Sequence, residues 1–257
     1  MSNWNTTTNE SRKRWETNAD FWDARMGEHS NRFHREIVRP STEELLEVNK
    51  GEAILDIACG NGNFSKRLAE LGAKVIAFDY SANLIENAKK RCASYLDKIE
   101  FKVKDATNYN ELVELGHECF DKAVANMALM DISDIDPLLN AVYKLLKPNG
   151  IFVLSIMHPC FQSPKMRKII ETEDLGEKVE TRSAIQIFNY ITPQCYEGNV
   201  IKGQPVPQLY YHRPLSELLE QSFNAGFVVS GIKEPVFNSD KTEWMEIPPV
   251  LIIRLQK

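Results

Sequence analysis

Apolar and polar residues follow two periods through the middle of this chain. Short apolar runs predict β-strands at 53–58, 74–79, 99–104, 121–126 and 150–157. Amphipathic stretches between these runs predict helices at 63–71, 81–96 and 135–147, with Ser81 as a helix cap. Strands that alternate with helices in this way are typical of a parallel sheet covered by helices on both faces. The pattern therefore predicts an α/β protein with a doubly wound sheet.

The first fifty residues do not share this alternation. They are polar and aromatic, and helical periodicity is visible at 11–25 and 41–48. Ser41 or Thr42 is the candidate cap of the second helix. We expect residues 1–50 to form an N-terminal helical cap.

A second interruption covers residues 158–212. This segment contains several prolines, a charged stretch and many aromatic residues, and it precedes a predicted helix at 214–225 and predicted strands at 227–235 and 249–256. A long insertion inside a compact sheet protein is usually a functional cover or a disordered excursion. The aromatic content favours an inserted cover.

The turn after the first predicted strand is the most informative segment. The apolar run from Ala53 to Cys59 ends in Gly60-Asn61-Gly62, and a helical pattern begins directly afterwards. A buried strand, a glycine turn and a helix N-terminus in this order usually bind a nucleotide-like ligand in an open α/β sheet. Glycine allows positive φ angles and a close approach of the backbone to the ligand.

Acidic residues stand at or near the ends of three successive strands, at Asp56, Asp79 and Asp105. Asp79 is placed to accept hydrogen bonds from both hydroxyls of a ribose, and Asp105 to reach the amino group of an adenine. Each of these residues taken alone is equally well explained as an aspartate that caps a turn. Because all three follow one another beside a G-x-G turn, they favour a ligand site.

A dinucleotide site is the main competing interpretation of this turn. Its fingerprint requires a third glycine, and Ser65 occupies that position here. Asp56 would also repel an anionic pyrophosphate, whereas a ligand with an ammonium and a sulfonium group would tolerate it. The charge pattern therefore favours a cationic nucleoside over a dinucleotide.

These segments resemble the motifs of the class I S-adenosylmethionine-dependent methyltransferases. The similar segments are residues 55–62, 78–81 and 104–106 for the first three motifs, 120–129 for the strand that closes over the cofactor, and 145–154 for the helix, turn and fifth strand. The resemblance covers residues 50–157 and extends more loosely to 251–254. It implies a Rossmann-like, seven-stranded, mostly parallel sheet with an antiparallel last strand. It also implies a methyltransferase domain at 51–257, with 158–212 as a substrate-covering insertion.

The resemblance also implies roles for individual residues. S-adenosyl-L-methionine would be the cofactor, S-adenosyl-L-homocysteine the product, and no metal would be required. Asp79 would bind the ribose, Tyr80 would flank the adenine, and Asp105 with Ala106 would reach the adenine edge. The methionine part would be held beside Asp56 by the segment around Ala58, Gly60 and Gly62, and lined by Asn126 and Met127.

Residues 21–26 resemble the N-terminal element that folds over the cofactor in many relatives. Trp22 would then face the substrate, and Arg25 could pair with the cofactor carboxylate. A surface ion pair explains Arg25 equally well.

On the substrate side, His158 ends the fifth predicted strand, where it is expected to face the crevice. A histidine there could orient a hydroxyl or accept its proton, or it could simply bond to its own loop. Tyr210, Tyr211 and Arg213 are further candidate substrate-binding residues, with Arg213 suited to an anionic group. The aromatic residues between 188 and 211 would form a mostly apolar chamber, or would only pack the insertion onto the sheet.

Composition narrows the choice of function. The chain has 257 residues and a net charge of −5, which argues against a nucleic-acid partner. Five scattered cysteines without a C-x-x-C pair indicate free thiols in the cytoplasm and no zinc site. The sequence contains no run of 18 apolar residues, so we expect no membrane segment. The sequence does not indicate an oligomeric state.

We therefore expect methyl transfer to an O, N or C nucleophile of a small organic metabolite. A tRNA or other RNA methyltransferase is the alternative within the same family. A nicotinamide oxidoreductase and a non-catalytic cofactor-binding subunit are the alternatives outside it.

Overall fold

The computed structural model describes residues 5–199, 201–238 and 243–257. Residues 1–4 of the expected N-terminal cap lie outside this range. The strands are β1 (Ala53–Ile57), β2 (Lys74–Asp79), β3 (Ile99–Val103), β4 (Phe120–Asn126), β5 (Leu146–Met157), β6 (Arg167–Asp174), β7 (Val179–Gln186), β8 (Gln194–Gly198), β9 (Gln208–His212), β10 (Val228–Lys233) and β11 (Val250–Gln256). The α-helices are α1 (Asn5–Met26), α2 (Arg39–Leu46), α3 (Asn63–Glu70), α4 (Ala82–Arg91), α5 (Tyr109–Val113), α6 (Asp136–Leu145) and α7 (Leu215–Asn224).

Seven of these strands form one central sheet in the order β10-β11-β5-β4-β1-β2-β3. The pairs among β1 to β5 are parallel, and β11 lies antiparallel between β5 and β10. This arrangement confirms the predicted doubly wound α/β fold with an antiparallel last strand. The strand order reverses beside β1, so the carboxyl ends of β1 and β4 border a crevice where ligands bind in such sheets.

Both faces of the sheet are covered, as the alternation of strands and helices predicted. One apolar cluster lies on the side of α6 and α7 and includes Leu138, Leu218 and Phe227. The other lies on the side of α2 and α3 and includes Leu46 and Leu68. Burial on both faces explains why the central strands are nearly continuous apolar runs.

The helix caps agree with the sequence at one place and differ at another. Ser81 caps α4, because its side chain accepts a hydrogen bond from the backbone N–H of Leu84 at 3.1 Å. The proposed Ser41 or Thr42 cap of α2 is wrong. This helix already begins at Arg39, and Thr42 lies inside it, where its hydroxyl donates to the Val38 carbonyl at 2.8 Å. Pro40 in the first turn needs no N–H partner, which makes an early start possible.

The insertion contains two hairpins that the sequence did not predict. Strands β8 and β9 form one of them, and every residue of β9 is buried. Strands β6 and β7 form the other, which is mostly exposed to solvent. Within the described ranges, no helix has both the length and the apolar character needed to cross a bilayer.

Candidate functional site

A cavity of about 490 Å³ lies at the carboxyl ends of β1, β2 and β4. Its walls come from the glycine turn, the loops after these strands, helix α1, the 30–39 segment and residues Phe237, Trp244 and Pro249. The volume falls in the range of small-molecule and cofactor sites. The topological switch point of the sheet thus coincides with a cavity of suitable size.

The two glycines of the turn have different tasks. A side chain on Gly60, which has φ +54°, would meet no atom within 4 Å, and Gly60 lines the cavity. A Cβ on Gly62, which has φ +77°, would lie 2.9 Å from the Cβ of Ala88 in α4. Gly62 also lies outside the cavity lining. The expected ligand contact of Gly62 is therefore corrected. Gly62 allows α3 to begin close to α4, whereas Gly60 keeps space open in the cavity.

Two non-glycine residues at the cavity have left-handed backbone conformations. Ala58 follows β1 with φ 50°, and Met127 follows β4 with φ 55°. Residues with side chains rarely adopt positive φ, and such strain concentrates at functional sites. Both residues line the cavity, so the strain lies where sequence motifs predicted the ligand.

Asp79 is fixed by backbone groups on both of its carboxylate oxygens. Oδ2 accepts from the Gly60 N–H at 3.0 Å, and Oδ1 accepts from the Ser81 N–H at 2.9 Å. The residue is only 4% exposed and lines the cavity. Burial raises the pKa of Asp79 to about 6, although these hydrogen bonds act in the opposite direction. Asp79 therefore links the glycine turn to the end of β2 and keeps oxygen lone pairs for a ligand.

Asp56 also lies at the cavity and is 1% exposed. The Ser65 hydroxyl donates to its Oδ2 at 2.5 Å. Burial raises the pKa of Asp56 to about 7, and the charge of Asp79 adds to this increase. Two buried carboxyl groups with raised pKa values favour a cationic ligand, which would stabilise their ionised forms.

The remaining strand-end residues are also held in position. The Asp105 Oδ1 accepts from both the N–H and the hydroxyl of Thr107 at 2.8 Å, beside the buried Ala106. Asn126 Oδ1 accepts from the Ser155 hydroxyl at 2.7 Å, and the Met127 N–H donates to the same Ser155 oxygen at 2.8 Å. All four predicted cofactor residues in these two segments line the cavity.

Helix α1 forms one wall of the cavity. The Ser11 and Tyr80 hydroxyls are hydrogen-bonded at 3.0 Å, which joins the helix to the end of β2. The Glu16 carboxylate accepts from the N–H groups of Ala82 and Asn83 at 2.7 and 3.2 Å, at the N-terminus of α4. A carboxylate at a helix N-terminus is stabilised by the helix dipole.

The same helix ends beside the glycine turn. Asp23 accepts from the Asn61 side chain at 3.0 Å and pairs with Arg91. Trp15 and Trp22 of α1 line the cavity and pack edge to face, with ring centroids 5.2 Å apart. Helix α1 therefore contributes an aromatic wall to the cavity, and the role of Trp22 in substrate binding stays a prediction.

His158 does not face the cavity, which corrects the sequence expectation. It is 2% exposed, and its Nε2 lies 2.7 Å from Glu234 Oε1. The Cys160 N–H donates to Nδ1 at 3.3 Å, so the proton of the neutral ring is on Nε2 and is donated to Glu234. Burial lowers the pKa of His158 despite this partner. His158 thus bonds to its own loop, the alternative recognised from the sequence.

Arg25 is also absent from the cavity lining. Its side chain is exposed and lies over the Phe21 ring at 5.1 Å. A different arginine, Arg39, does line the cavity. Arg39 is 3.9 Å from Glu43, while Arg67 holds both oxygens of that carboxylate at 2.9 Å. Sequence reasoning missed Arg39 because it stands at the start of α2, beyond the matched motif.

Tyr211 and Arg213 are structural rather than cavity-lining residues. Tyr211 is 1% exposed and lies within β9. The buried Arg213 donates hydrogen bonds to the carbonyls of Leu129, Ile132 and Ser133 at 3.2, 2.8 and 2.7 Å. Desolvation lowers its pKa to about 10. Of the predicted substrate residues near the end of the insertion, only Tyr210 lines the cavity.

Most of the aromatic lining comes from outside the insertion. Phe33 and His34 precede α2, and Phe237 and Trp244 belong to the loop before β11. Phe33 and Phe237 pack with ring centroids 6.3 Å apart. Burial lowers the pKa of His34 to about 4, so its ring is neutral near pH 7. These residues are far apart in sequence, and no local pattern marks them as neighbours.

The charged groups of the lining are mostly acidic. Four carboxyl groups contribute, those of Asp56, Asp79, Asp105 and Asp131, against the cations of Lys104 and Arg39. Lys104 is engaged, because its Nζ donates to the Glu111 carbonyl at 2.8 Å and to Glu114 at 3.1 Å. Among the described residues, no cluster of three or more His, Cys, Asp or Glu side chains suits a metal ion. The carboxyl acceptors and the open space at Gly60 fit a cationic nucleoside with a diol.

Comparison with known proteins agrees with this geometry. The family model described as "Methyltransferase domain" matches residues 48–217. An uncharacterised protein of Haemophilus influenzae is 27% identical over 86% of this chain and 87% of that protein. A demethylmenaquinone methyltransferase of Clavibacter sepedonicus is 28% identical over 59% of this chain and 58% of its own length. A solved structure of a putative S-adenosylmethionine-dependent methyltransferase from Listeria monocytogenes matches with a TM-score of 0.68 and 22% sequence identity. The match covers 85% of this chain and 96% of that chain.

Proposed function

The chain belongs to the class I S-adenosylmethionine-dependent methyltransferases, and on that premise we propose that it methylates an O, N or C nucleophile of a small organic metabolite. One observation carries the proposal. Buried carboxyl groups with raised pKa values, Asp56 and Asp79, stand beside an open glycine turn. A ligand with positive charges and a ribose diol relieves the cost of burying these acids.

The roles of the cofactor-binding residues follow from their positions. Asp79 would accept from the two ribose hydroxyls, and Asp105 and Ala106 would border the adenine. The backbone at Ala58 and Gly60 would hold the methionine part, beside Asp56. When bound, the sulfonium supplies an electrophilic methyl group. Its leaving group is a neutral thioether, which needs no protonation.

We propose Arg39 in place of Arg25 as the residue that binds the cofactor carboxylate. The cofactor carboxylate requires a cation, and Arg39 lines the cavity. The Glu43 carboxylate, 3.9 Å from Arg39, is already bound by Arg67. A guanidinium suits a carboxylate because it donates two parallel hydrogen bonds. We therefore assign the carboxylate contact to Arg39.

The lining also supports the substrate class. Aromatic side chains of Trp22, Phe33, Phe237 and Trp244 border the cavity, with the polar tips of Gln162 and His34 among them. Such a wall suits a flat, mostly apolar molecule with few polar groups. The related demethylmenaquinone methyltransferase is named for a quinone substrate, which is consistent with this chemistry. The four acidic groups of the lining do not favour an RNA phosphate backbone.

Calorimetry with S-adenosyl-L-methionine and NAD tests the proposal. We expect micromolar-scale binding of the first and none of the second. Asp79→Asn keeps the shape of the side chain, removes its charge and should weaken binding more than tenfold, because a charged hydrogen bond contributes about 1.5–3 kcal/mol.

Asp134→Asn is the matched control, since Asp134 is an exposed acid outside the cavity lining. It should bind as the unchanged protein does. A preference for NAD, or equal affinities for the Asp79 variant and the control, would refute the proposal.

A further inference from the structure

The short loop after β4 contains a carboxyl group that has no role so far. Residues 129–131 form a 3-10 turn immediately beyond Asn126 and Met127, and Asp131 ends it. Asp131 lines the cavity together with Tyr80 and Tyr210. Because β4 lies between β1 and β5, its loop borders both the expected methionine end of the cofactor and the space beyond it.

Several contacts fix the conformation of this loop. The Arg213 guanidinium binds the carbonyls of Leu129, Ile132 and Ser133, which lie on both sides of Asp131. The Ser133 hydroxyl is hydrogen-bonded to that of Thr8 in α1. A buried guanidinium with fixed geometry restricts the loop backbone to one conformation. Arg213 is thus a positioning residue for the Asp131 carboxyl.

The surroundings of the Asp131 carboxyl group influence its protonation. The Trp15 side chain lies beside the carboxyl group and favours its ionised form, which lowers the pKa of Asp131. Oδ1 is buried and has no hydrogen-bond partner in the described structure. A buried carboxylate oxygen without a donor is costly, so it indicates that the carboxyl group carries a proton while the cavity is empty.

We propose that Asp131 is the catalytic base of this site: its cavity-lining carboxylate accepts a hydrogen bond from the O–H or N–H nucleophile of the acceptor and takes its proton during methyl transfer. The inference rests on the proposed function. In the step, the nucleophile forms a bond to the methyl carbon while the methyl–sulfur bond breaks. The electron pair of that bond stays on sulfur, and the proton of the nucleophile passes to Asp131.

The charge balance of this step suits a dry cavity. A positive sulfonium and a negative carboxylate disappear together, and a neutral thioether and a neutral carboxylic acid remain. Loss of two opposite charges is favourable where water is scarce, because neither product needs to be solvated as an ion. The apolar rings of Trp15 and Trp22 line this region.

The surrounding groups determine when Asp131 can act as a base. Burial raises its pKa well above the ordinary value, the Trp15 side chain opposes the increase, and the charge of Asp79 adds to it. The hydroxyls of Tyr80, Tyr196 and Tyr210 are its other ionisable neighbours, and burial raises the pKa of each, so all three are neutral near pH 7. A cation bound close to the carboxyl group would lower its pKa and generate the base when the methyl donor is present.

The test uses two cofactor analogues and needs no acceptor. S-adenosyl-L-homocysteine lacks the methyl group, whereas sinefungin carries an amine in its place. In the unchanged protein the amine should donate to Asp131, so sinefungin should bind more tightly. Asp131→Asn should reduce the affinity for sinefungin at least tenfold, and change that for S-adenosyl-L-homocysteine less than twofold.

The pH dependence provides a second readout. The preference of the unchanged protein for sinefungin should rise as Asp131 ionises with increasing pH, and Asp131→Asn should reduce this rise. Trp15→Phe removes the indole that favours the ionised form, so it should shift the rise to higher pH. Asp134→Asn, on the same loop but exposed, should behave as the unchanged protein. Melting temperatures within 2 °C would show that the variants are folded.

The outcomes separate the inference from the proposed function. If the unchanged protein binds both analogues and Asp131→Asn weakens both equally, the residue only shapes the site and the inference is overturned. An unchanged ratio of the two affinities overturns it as well. Failure of the unchanged protein to bind either analogue would instead refute the proposed function, and the inference with it.

Discussion

Strands β1 and β4, whose carboxyl ends border the cavity, are hydrogen-bonded to neighbouring strands on both sides. Strands β6 and β7 of the insertion pair only with each other. The edge holds Ala58 and Met127 in left-handed conformations and buries Asp56 and Asp79. The β6–β7 hairpin exposes apolar side chains, with Ile170 73% exposed. Strained backbone and buried polar groups require a rigid frame, which the hydrogen-bonded central sheet supplies and the exposed hairpin does not.

The largest effect should come from the packing of the glycine turn. Gly62→Ala places a Cβ against Ala88 in a left-handed conformation, and we expect it to lower the free energy of unfolding by about 2–4 kcal/mol. Gly60→Ala is the matched control, because its Cβ meets no atom within 4 Å. It should cost less stability but weaken cofactor binding. Denaturant titration and calorimetry measure the two effects. Equal stability losses would contradict the division of tasks between the glycines.

A smaller effect should appear in the pH dependence of ligand stabilisation. The pKa values of Asp56 and Asp79, about 7 and about 6, exceed their ordinary value of 3.8, so the folded protein holds these protons more tightly than the unfolded chain. The resulting stabilisation of the ligand-free protein is fully present below pH 4 and is lost as the pH rises through 6 and 7. A cation favours the ionised carboxylates, so stabilisation by S-adenosyl-L-methionine should grow over the same range.

Melting curves at pH 5.5 and 7.5 measure this growth. The advantage of S-adenosyl-L-methionine over its neutral-sulfur product should increase by roughly 1–2 kcal/mol between these values. Asp56→Asn should reduce the increase, because one of the two titrating groups is then lost. An advantage that does not depend on pH would show that these carboxyls do not sense the sulfonium.

The smallest effect should follow removal of the exposed hairpin. Replacing residues 169–184 with a two-residue turn keeps Arg167 over Phe188 and Lys168 over Trp244. Cofactor affinity should change less than twofold and the free energy of unfolding by less than about 1 kcal/mol, because an isolated two-stranded hairpin adds little stability. A large loss of affinity would mean that the hairpin belongs to the site, and the comparison with the sheet edge would no longer hold.

The sequence alone was sufficient to predict the strands of the central sheet and the glycine turn beside the cavity. Periodicity located all seven strands of that sheet. The inner strands are nearly continuous apolar runs because both of their faces are buried, and Gly60 and Asp79 stand in a local pattern. The four strands of the insertion were missed. No comparable burial constrains β6 and β7. Strand β9 is buried, but its sequence from Gln208 to His212 is not an apolar run.

Only the tertiary structure decided which polar side chains reach the cavity. His158, Arg25 and Arg213 have suitable chemistry, yet each is satisfied elsewhere, by Glu234, by the Phe21 ring and by backbone carbonyls. Arg39 and Asp131 lie outside any local motif and come to the cavity through the packing of α2 and the fixed loop after β4. A local pattern specifies backbone conformation and burial, whereas the direction of a side chain depends on partners that are distant in sequence and meet only in the folded protein.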